Sequence, residues 1–324
     1  MNIQFLSISR AAVRRSLHIF LLPLSIGLVI SNAQADVKGA LLGSGADKPK
    51  VIKTQSKYLL NIAKANDYGI SINRLSELDT RGKVLVLTNS YQINPKLSGA
   101  PAQTIVLALD NRHQADIKEI RVEGRAADVV LLAPKGIRCD GCSVTNAERV
   151  TLAAGEGIYE SGELTQVTMA SGVITITGQG FSANQSSLVD IAASQVVIDG
   201  PFDTNMKGRV VTRANRERKE IDPAGTLEVS NGDVQIIAGD NAFRYSDRQS
   251  DVSFKTFSGS ALKLTKKAKV TVGNLHLEST YENGVVSIDG QILTNGAWSY
   301  LGRYNNECEH QTTLSYLNYQ AILS

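Results

Sequence analysis

The sequence predicts an all-β fold, and three observations predict it. Apolar, β-branched runs recur along the chain, each four to seven residues long and ended by Gly, Asn or Asp. KVLVL (83–87), TIVLAL (104–109), DVVLLA (128–133), RVTLAA (149–154), GVITITG (172–178), QVVIDG (195–200), DVQIIAG (233–239), KVTVG (269–273) and VVSIDG (285–290) are examples. That is the punctuation of strands and turns. The runs also recur at a coarse interval. Val150, Val173 and Val196 lie 23 residues apart, followed by gaps of 38 to Val234, 36 to Val270 and 16 to Val286. A repeat near this length, broken by insertions, matches one coil of a solenoid. Finally, aromatic residues make up 6% of the chain. A stacked column of Val, Ile and Leu, with Ala or Gly at its corners, needs few large rings. Two architectures suit these features. One is a parallel β-helix. The other is an antiparallel sandwich, which places hairpin signals every 8 to 12 residues or so. TQVTMASGVITITG (165–178) reads in part as a hairpin, and the pattern leaves both open.

Taken in order, the chain begins with a leader. Arg10, Arg14 and Arg15 form a positive region, LHIFLLPLSIGLVI (17–30) an apolar one, and NAQA (32–35) an A-x-A end. This is a signal peptide over residues 1–35, with cleavage expected after Ala35. His18 and Pro23, with the shortness of the run, set it against a retained membrane anchor. The residues after the Arg pair fit a twin-arginine signal poorly. Export places the mature chain outside the reducing cytosol, where cysteines tend to pair. Of the three cysteines, Cys139 and Cys142 are the natural couple and Cys308 is left over.

The length of 324 residues is enough for one large or two modest domains. A formal charge of +3 argues against a dedicated nucleic-acid binder, which would concentrate a basic face. The densest basic run, RVVTRANRERKE (209–220), contains acids and lies between strand-like runs. It reads as a solvated loop, with a polyanion patch as the alternative.

Several chemistries can be weighed against the residues. CDGC (139–142) has no second C-x-x-C or His pair to complete a structural zinc site. It leads into a strand rather than a helix N-terminus, which sets it against a thioredoxin-like centre. A β-turn brings its end Cα atoms within about 7 Å, inside disulfide reach, so a local disulfide across a turn fits, and a pair of free buried thiols stays open. Cys308 and His310 lack identifiable metal partners. β-Helices also host polysaccharide-acting enzymes, which use clustered acids and bases. Here Asp190, Asp199, Asp233 and Asp289 are isolated near strand ends, where ordinary turn chemistry explains them. No phosphate loop, nucleophile elbow or zinc helix motif is present, and neither catalysis nor a cofactor is expected.

From residue 69 the chain resembles a known family, and the resemblance lies in several stretches in order. GISINRLSELDTRGKVLVLTNS (69–90) resembles the family's opening segment, and INPKL (93–97) its Asn-Pro-Asn-Leu motif. RVEGRAADVVLLAPKGIRCDGCSVTNAERVTLAAG (121–155) resembles its Asn-Pro-Asn-Gly-Ile core. Residues 172–200 and the run from TRANRERKE onward resemble further coils. The family is the secretion domain of two-partner-secreted exoproteins: filamentous haemagglutinins, contact-dependent inhibition proteins and related haemolysins. Lys96 stands where the first motif has its second Asn; Ala133 and Lys135 replace both asparagines of the second.

The resemblance implies a right-handed, single-stranded parallel β-helix with an N-terminal cap over about residues 36–68. The secretion domain would span 36–250, and 251–324 would hold further coils and an irregular end that loses the strand rhythm from Trp298. It also implies a secreted, non-catalytic, adhesin-like exoprotein, cell-surface or extracellular, read by an outer-membrane β-barrel transporter with periplasmic domains. Asn94, Pro95, Lys96, Leu97, Pro134, Lys135 and Gly136 would carry that recognition, with Cys139 and Cys142 as clasp. A host or neighbouring-cell receptor or glycan would be a further partner. The alternative is the secretion domain of a longer haemolysin or growth-inhibition toxin.

Overall fold

The strand-forming runs stack as coils of a parallel β-helix. The structure is a computed structural model. It describes residues 36–39, 49–169, 172–204, 233–238, 241–245, 252–254, 261–279, 285–294, 298–301 and 303–304, which belong to one compact unit, Ala35–Ser324. Residues 1–35, the basic run 209–220, and Cys308 with His310 lie outside the described residues.

The chain opens with β1 (Val37–Gly39), β2 (Lys50–Lys53) and β3 (Lys57–Asn61). Then come β4 (Ile70–Leu78), β5 (Val84–Asn89), β6 (Thr104–Leu109), β7 (Ala115–Gly124), β8 (Asp128–Leu132), β9 (Gly136–Thr145) and β10 (Arg149–Ala153). Two strands, β11 (Gly155–Glu160) and β12 (Glu163–Met169), precede β13 (Val173–Ser182), β14 (Leu188–Ala193), β15 (Gln195–Ile198) and β16 (Pro201–Asp203). The remainder comprises β17 (Asp233–Ala238), β18 (Asn241–Arg244), β19 (Val252–Phe254), β20 (Ala261–Leu264), β21 (Lys269–Val272), β22 (Leu275–Ser279), β23 (Val285–Ile288), β24 (Gln291–Thr294), β25 (Trp298–Leu301) and β26 (Arg303–Tyr304).

The strands alternate between two long sheets. The first runs β1-β4-β6-β8-β10-β14-β17-β22-β25. The second runs β2-β3-β5-β7-β9-β13-β15-β20-β23-β26, with β16, β21 and β24 beside it. Beyond the first two strands every pairing in them is parallel, as in β6–β8, β8–β10 and β10–β14. At the N-terminal end β1 and β2 pair antiparallel to β4 and β3. They close the first coil, because a parallel stack otherwise ends on an open edge.

The core is a column of stacked side chains from successive coils. Ile105, Val129, Val150 and Val189 stand in register in the first sheet. Ile117, Cys139, Ile176, Ile198, Leu264 and Ile288 do so in the second. All of these are buried in one apolar cluster. Uninterrupted coils, such as Ile105 to Val129, Val129 to Val150 and Phe181 to Phe202, take 21 to 24 residues.

The coil length was legible, but the valines that predicted it are not equivalents. Val150 belongs to the first sheet and stacks on Val189, whereas Val173 belongs to the second. The first interval crosses between sheets, and the second stays in the second sheet one residue out of register, since Val196 pairs with Ile174. The hairpin reading of 165–178 is also corrected: β12 pairs with β11, and β13 with β9 and β15. The segment from Trp298 keeps the coil rhythm as far as Tyr304, since β25 and β26 extend the two sheets.

β11 and β12 form a hairpin that leaves the helix. With β18 and β19 they make a four-stranded antiparallel sheet. It packs on the outer face of the first sheet. Leu164, Val167, Met169 and Tyr245 form a second cluster there with Ile70, Val106, Val130, Leu132, Ala153 and Ala192. The turn Ser161–Gly162 has positive φ at both residues, 54° and 96°, which is the geometry of a tight two-residue hairpin.

Candidate functional site

The first predicted motif lies in the loop between β5 and β6. Asn94 is fully buried. Its side-chain amide donates to the carbonyls of Ile62 (2.9 Å) and Thr88 (3.2 Å), and its oxygen accepts from the Lys96 amide (3.2 Å). Asn94 also caps the short 3₁₀ turn Pro95–Leu97, in which Pro95 takes the first positions. Pro suits that place because its fixed φ is helical and no amide is lost. Leu97 drops into the core. Asn89 ties down the far side of the loop: its amide donates to Ala102 and Arg125 carbonyls, and its oxygen accepts from the Ala102 amide. Pro95 is exposed and Lys96 half-buried. Beside them Tyr91 and Ile93 are each 51% exposed.

The second motif forms the turn from β8 to β9. Pro134 and Gly136 are buried and Lys135 is exposed. Gly136 has a φ of 111°, and an added Cβ would overlap the Val173 carbonyl of the next coil. Here glycine is required both by conformation and by close approach.

The structure does not bring the two motifs together. The loop holding Asn94 runs from the second sheet to the first, whereas the turn holding Pro134 runs from the first sheet to the second. They occupy opposite corners of the coil. Lys135 shares its corner with the turns of Arg81 and Arg112, whose guanidiniums pair with Asp79 and Asp110. The hydrogen bond from Arg112 holds the Asp110 carboxyl below its usual range.

CDGC is a bend inside β9. Cys139 and Cys142 both face the core, their sulfurs in bonding contact and their Cα atoms 5.2 Å apart. Gly141, with φ 67°, makes the bend. Cys139 stacks between Ile117 and Ile176, and Cys142 on Phe181. The pair therefore lies at a corner within one coil rather than between two coils.

Sequence reasoning missed a buried ion pair. Arg149 and Asp190 are 2% and 1% exposed and lie 2.7 Å apart on adjacent strands. Thr151 donates to the same carboxylate oxygen, and Arg149 donates to the Tyr245 carbonyl at 3.0 Å while lying over the Tyr245 ring. Burial opposes the charge on Arg149, but Asp190 and its neighbours outweigh it and raise the pKa. A hairpin separates the two residues in sequence, which hid the pairing. The tight turn at Ser161–Gly162 was the available signal for that hairpin. Among the described residues no cluster of His, Cys, Asp or Glu is arranged to hold a metal ion.

The comparisons with known proteins agree with this architecture. A crystal structure of the filamentous hemagglutinin secretion domain matches at a TM-score of 0.60 and 18% identity, covering 83% of this chain and 96% of that one. Toxin CdiA of Yersinia pestis is 28% identical over 199 residues, covering 57% of this chain. The 16S rRNA endonuclease CdiA of Enterobacter cloacae is 27% identical over 261 residues, covering 73%. The chain spans 6% and 8% of the length of these two relatives. A family model described as the TPS secretion domain matches residues 33–306. Since that match takes in the cap, both motif loops and the described coils, the chain belongs to the TPS secretion domain family: it is a two-partner secretion exoprotein, exported through the periplasm to the cell surface or the medium.

Proposed function

We propose that an outer-membrane transporter passes the chain across the outer membrane and reads residues 93–97 and 133–136 before the coils stack. One observation carries this. Of the seven motif residues, Asn94, Leu97, Pro134 and Gly136 are buried, and the two motifs stand at opposite corners, so the folded coil offers no shared surface. In an extended chain both segments are accessible in sequence. The test is binding of the purified periplasmic domains of the partner transporter to urea-unfolded and to folded protein. Binding to the unfolded chain, lost on deleting 93–97 and 133–136 together, is expected. Binding to the folded form with none to the unfolded form overturns the reading.

In this reading residues 1–35 are a cleaved signal peptide, and Cys139 with Cys142 form a disulfide that fixes the β9 corner after export. The coils then stack outside the cell as a non-catalytic, adhesin-like surface for a receptor or glycan. A solenoid suits this route, because each coil needs only its neighbour. A second reading, favoured by the names of the CdiA relatives and by the small share of them that this chain spans, makes it the secretion domain of a growth-inhibition toxin. Inhibition of neighbouring cells by the exporting strain supports that reading; binding to target cells with no effect on their growth supports adhesion.

A further inference from the structure

We propose that the β11–β12 hairpin is a strap over the first coils, closed by residues that lie some eighty positions later. The hairpin leaves the helix after β10 and runs back over earlier coils. Its tip reaches the first one, where the Gly162 carbonyl accepts from the Asn66 side-chain amide at 2.6 Å. Between these ends Leu164, Val167 and Met169 cover Ile70, Val106, Val130 and Leu132 on the outer face of the first sheet. Uncovered, those residues form an apolar stripe of the kind that invites association.

The hairpin does not complete its own fixing. Its β12 edge is paired by β18, through Gln166–Arg244, Val167–Phe243 and Thr168–Ala242. The Tyr245 amide donates to the Thr165 carbonyl at 2.8 Å, while the Tyr245 carbonyl accepts from Arg149 at 3.0 Å. Arg149 is in turn held by Asp190. Three segments, β10, β14 and Tyr245, must therefore meet before the ion pair is sealed. A buried charge missing one of its partners is strongly destabilising, so the lock is all-or-none. As the chain folds, the early coils can stack locally, but the strap is fixed only once Tyr245 has joined it. This arrangement stands whether or not the transporter reads the two motif loops.

Hydrogen exchange on the purified full-length protein tests it. The Tyr245 ring lies over Arg149 and packs in the cluster beneath the strap, and Tyr245→Ala removes it while keeping both main-chain bonds. Arg149→Met and Tyr245→Ala should each speed exchange of amides 156–168 at least tenfold, with β5 and β7 as protected as in the unsubstituted chain. Asn66→Ala should free the tip, residues 160–163, and leave Val167 protected. The proposal is overturned by unchanged strap protection in Tyr245→Ala. It is equally overturned if β5 and β7 open as far as the strap does. Should Arg149→Met fail to fold, Tyr245→Ala and Asn66→Ala still decide the matter.

Discussion

The side-chain amide of Asn94 donates to the carbonyl of Ile62, 32 residues earlier and in the preceding coil. This bond joins the motif loop to the start of the helix, and it separates what the motif does for stability from what it offers a partner. Asn94→Ala would remove a buried donor from the Ile62 and Thr88 carbonyls. It should cost about 2 kcal/mol, read as a lower urea midpoint. Lys96→Ala, at a half-buried surface position, should shift the midpoint by less than about 0.5 kcal/mol. Equal losses would show that the loop is not held through Asn94.

Asp190→Ala should be among the most damaging substitutions. Arg149 would remain buried beneath the antiparallel sheet without its counter-ion, at a cost of about 3 to 5 kcal/mol. The double variant Arg149→Met with Asp190→Leu should recover most of that loss, because an apolar pair of similar volume needs no charge compensation. Thermal or urea denaturation of the three proteins measures both effects.

Tyr159 gives a pH signature. This residue belongs to β11 of the strap; its hydroxyl is buried with no hydrogen-bond partner, and burial pushes its pKa up to about 12, against a smaller lowering from Arg74. The folded chain thus holds this proton longer than the unfolded chain, whose tyrosines release theirs near pH 10. The resulting stability is complete below about pH 10 and falls away as the pH rises towards 12. Tyr159→Phe should flatten that part of the pH–stability curve. At neutral pH it should be neutral or slightly stabilising, since an unpaired buried hydroxyl is removed.

Gly180→Ala should disrupt one corner of the helix. Gly180 has φ 79°, and an added Cβ would overlap the Pro201 carbonyl of the next coil. A cost above about 2 kcal/mol is expected, from strain and backbone displacement together. The adjacent Phe181–Phe202 ring pair, 5.0 Å between centroids, should lose its packing, visible as a change in near-ultraviolet dichroism.

Replacing Cys139 and Cys142 by Ser should lower stability by about 2 kcal/mol, the scale for a very short closed loop. Alkylation of the exported protein, unfolded in urea but not reduced, should leave these two buried positions unlabelled in its mass spectrum. Labelling of both would remove the disulfide from the account.

Much of this fold was written in local chemistry. The strands were readable because each β-branched run ends at a turn former, as in Val285–Ile288 before Asp289 and Gly290. The pairing partners were harder. Val150 stacks on Val189 rather than Val173, because the strap is inserted between consecutive coils, and a count along the chain cannot know which residues leave the helix. The same insertion hid Arg149 and Asp190 from one another. At the motif loops the residue types were visible but their sidedness was not. Asn94 points inward because Ile62 and Thr88 present carbonyls there, a fact that belongs to stacking rather than to spacing.

The antiparallel strand β2 gives the molecule a polarity. Lys50, Ile52 and Lys53 on it are exposed, and its direction is opposite to that of every coil strand in its sheet. No parallel coil can continue the stack across it. The helix is therefore a filament blocked at one end, and only at the opposite end could a coil be added or removed without disturbing the cap.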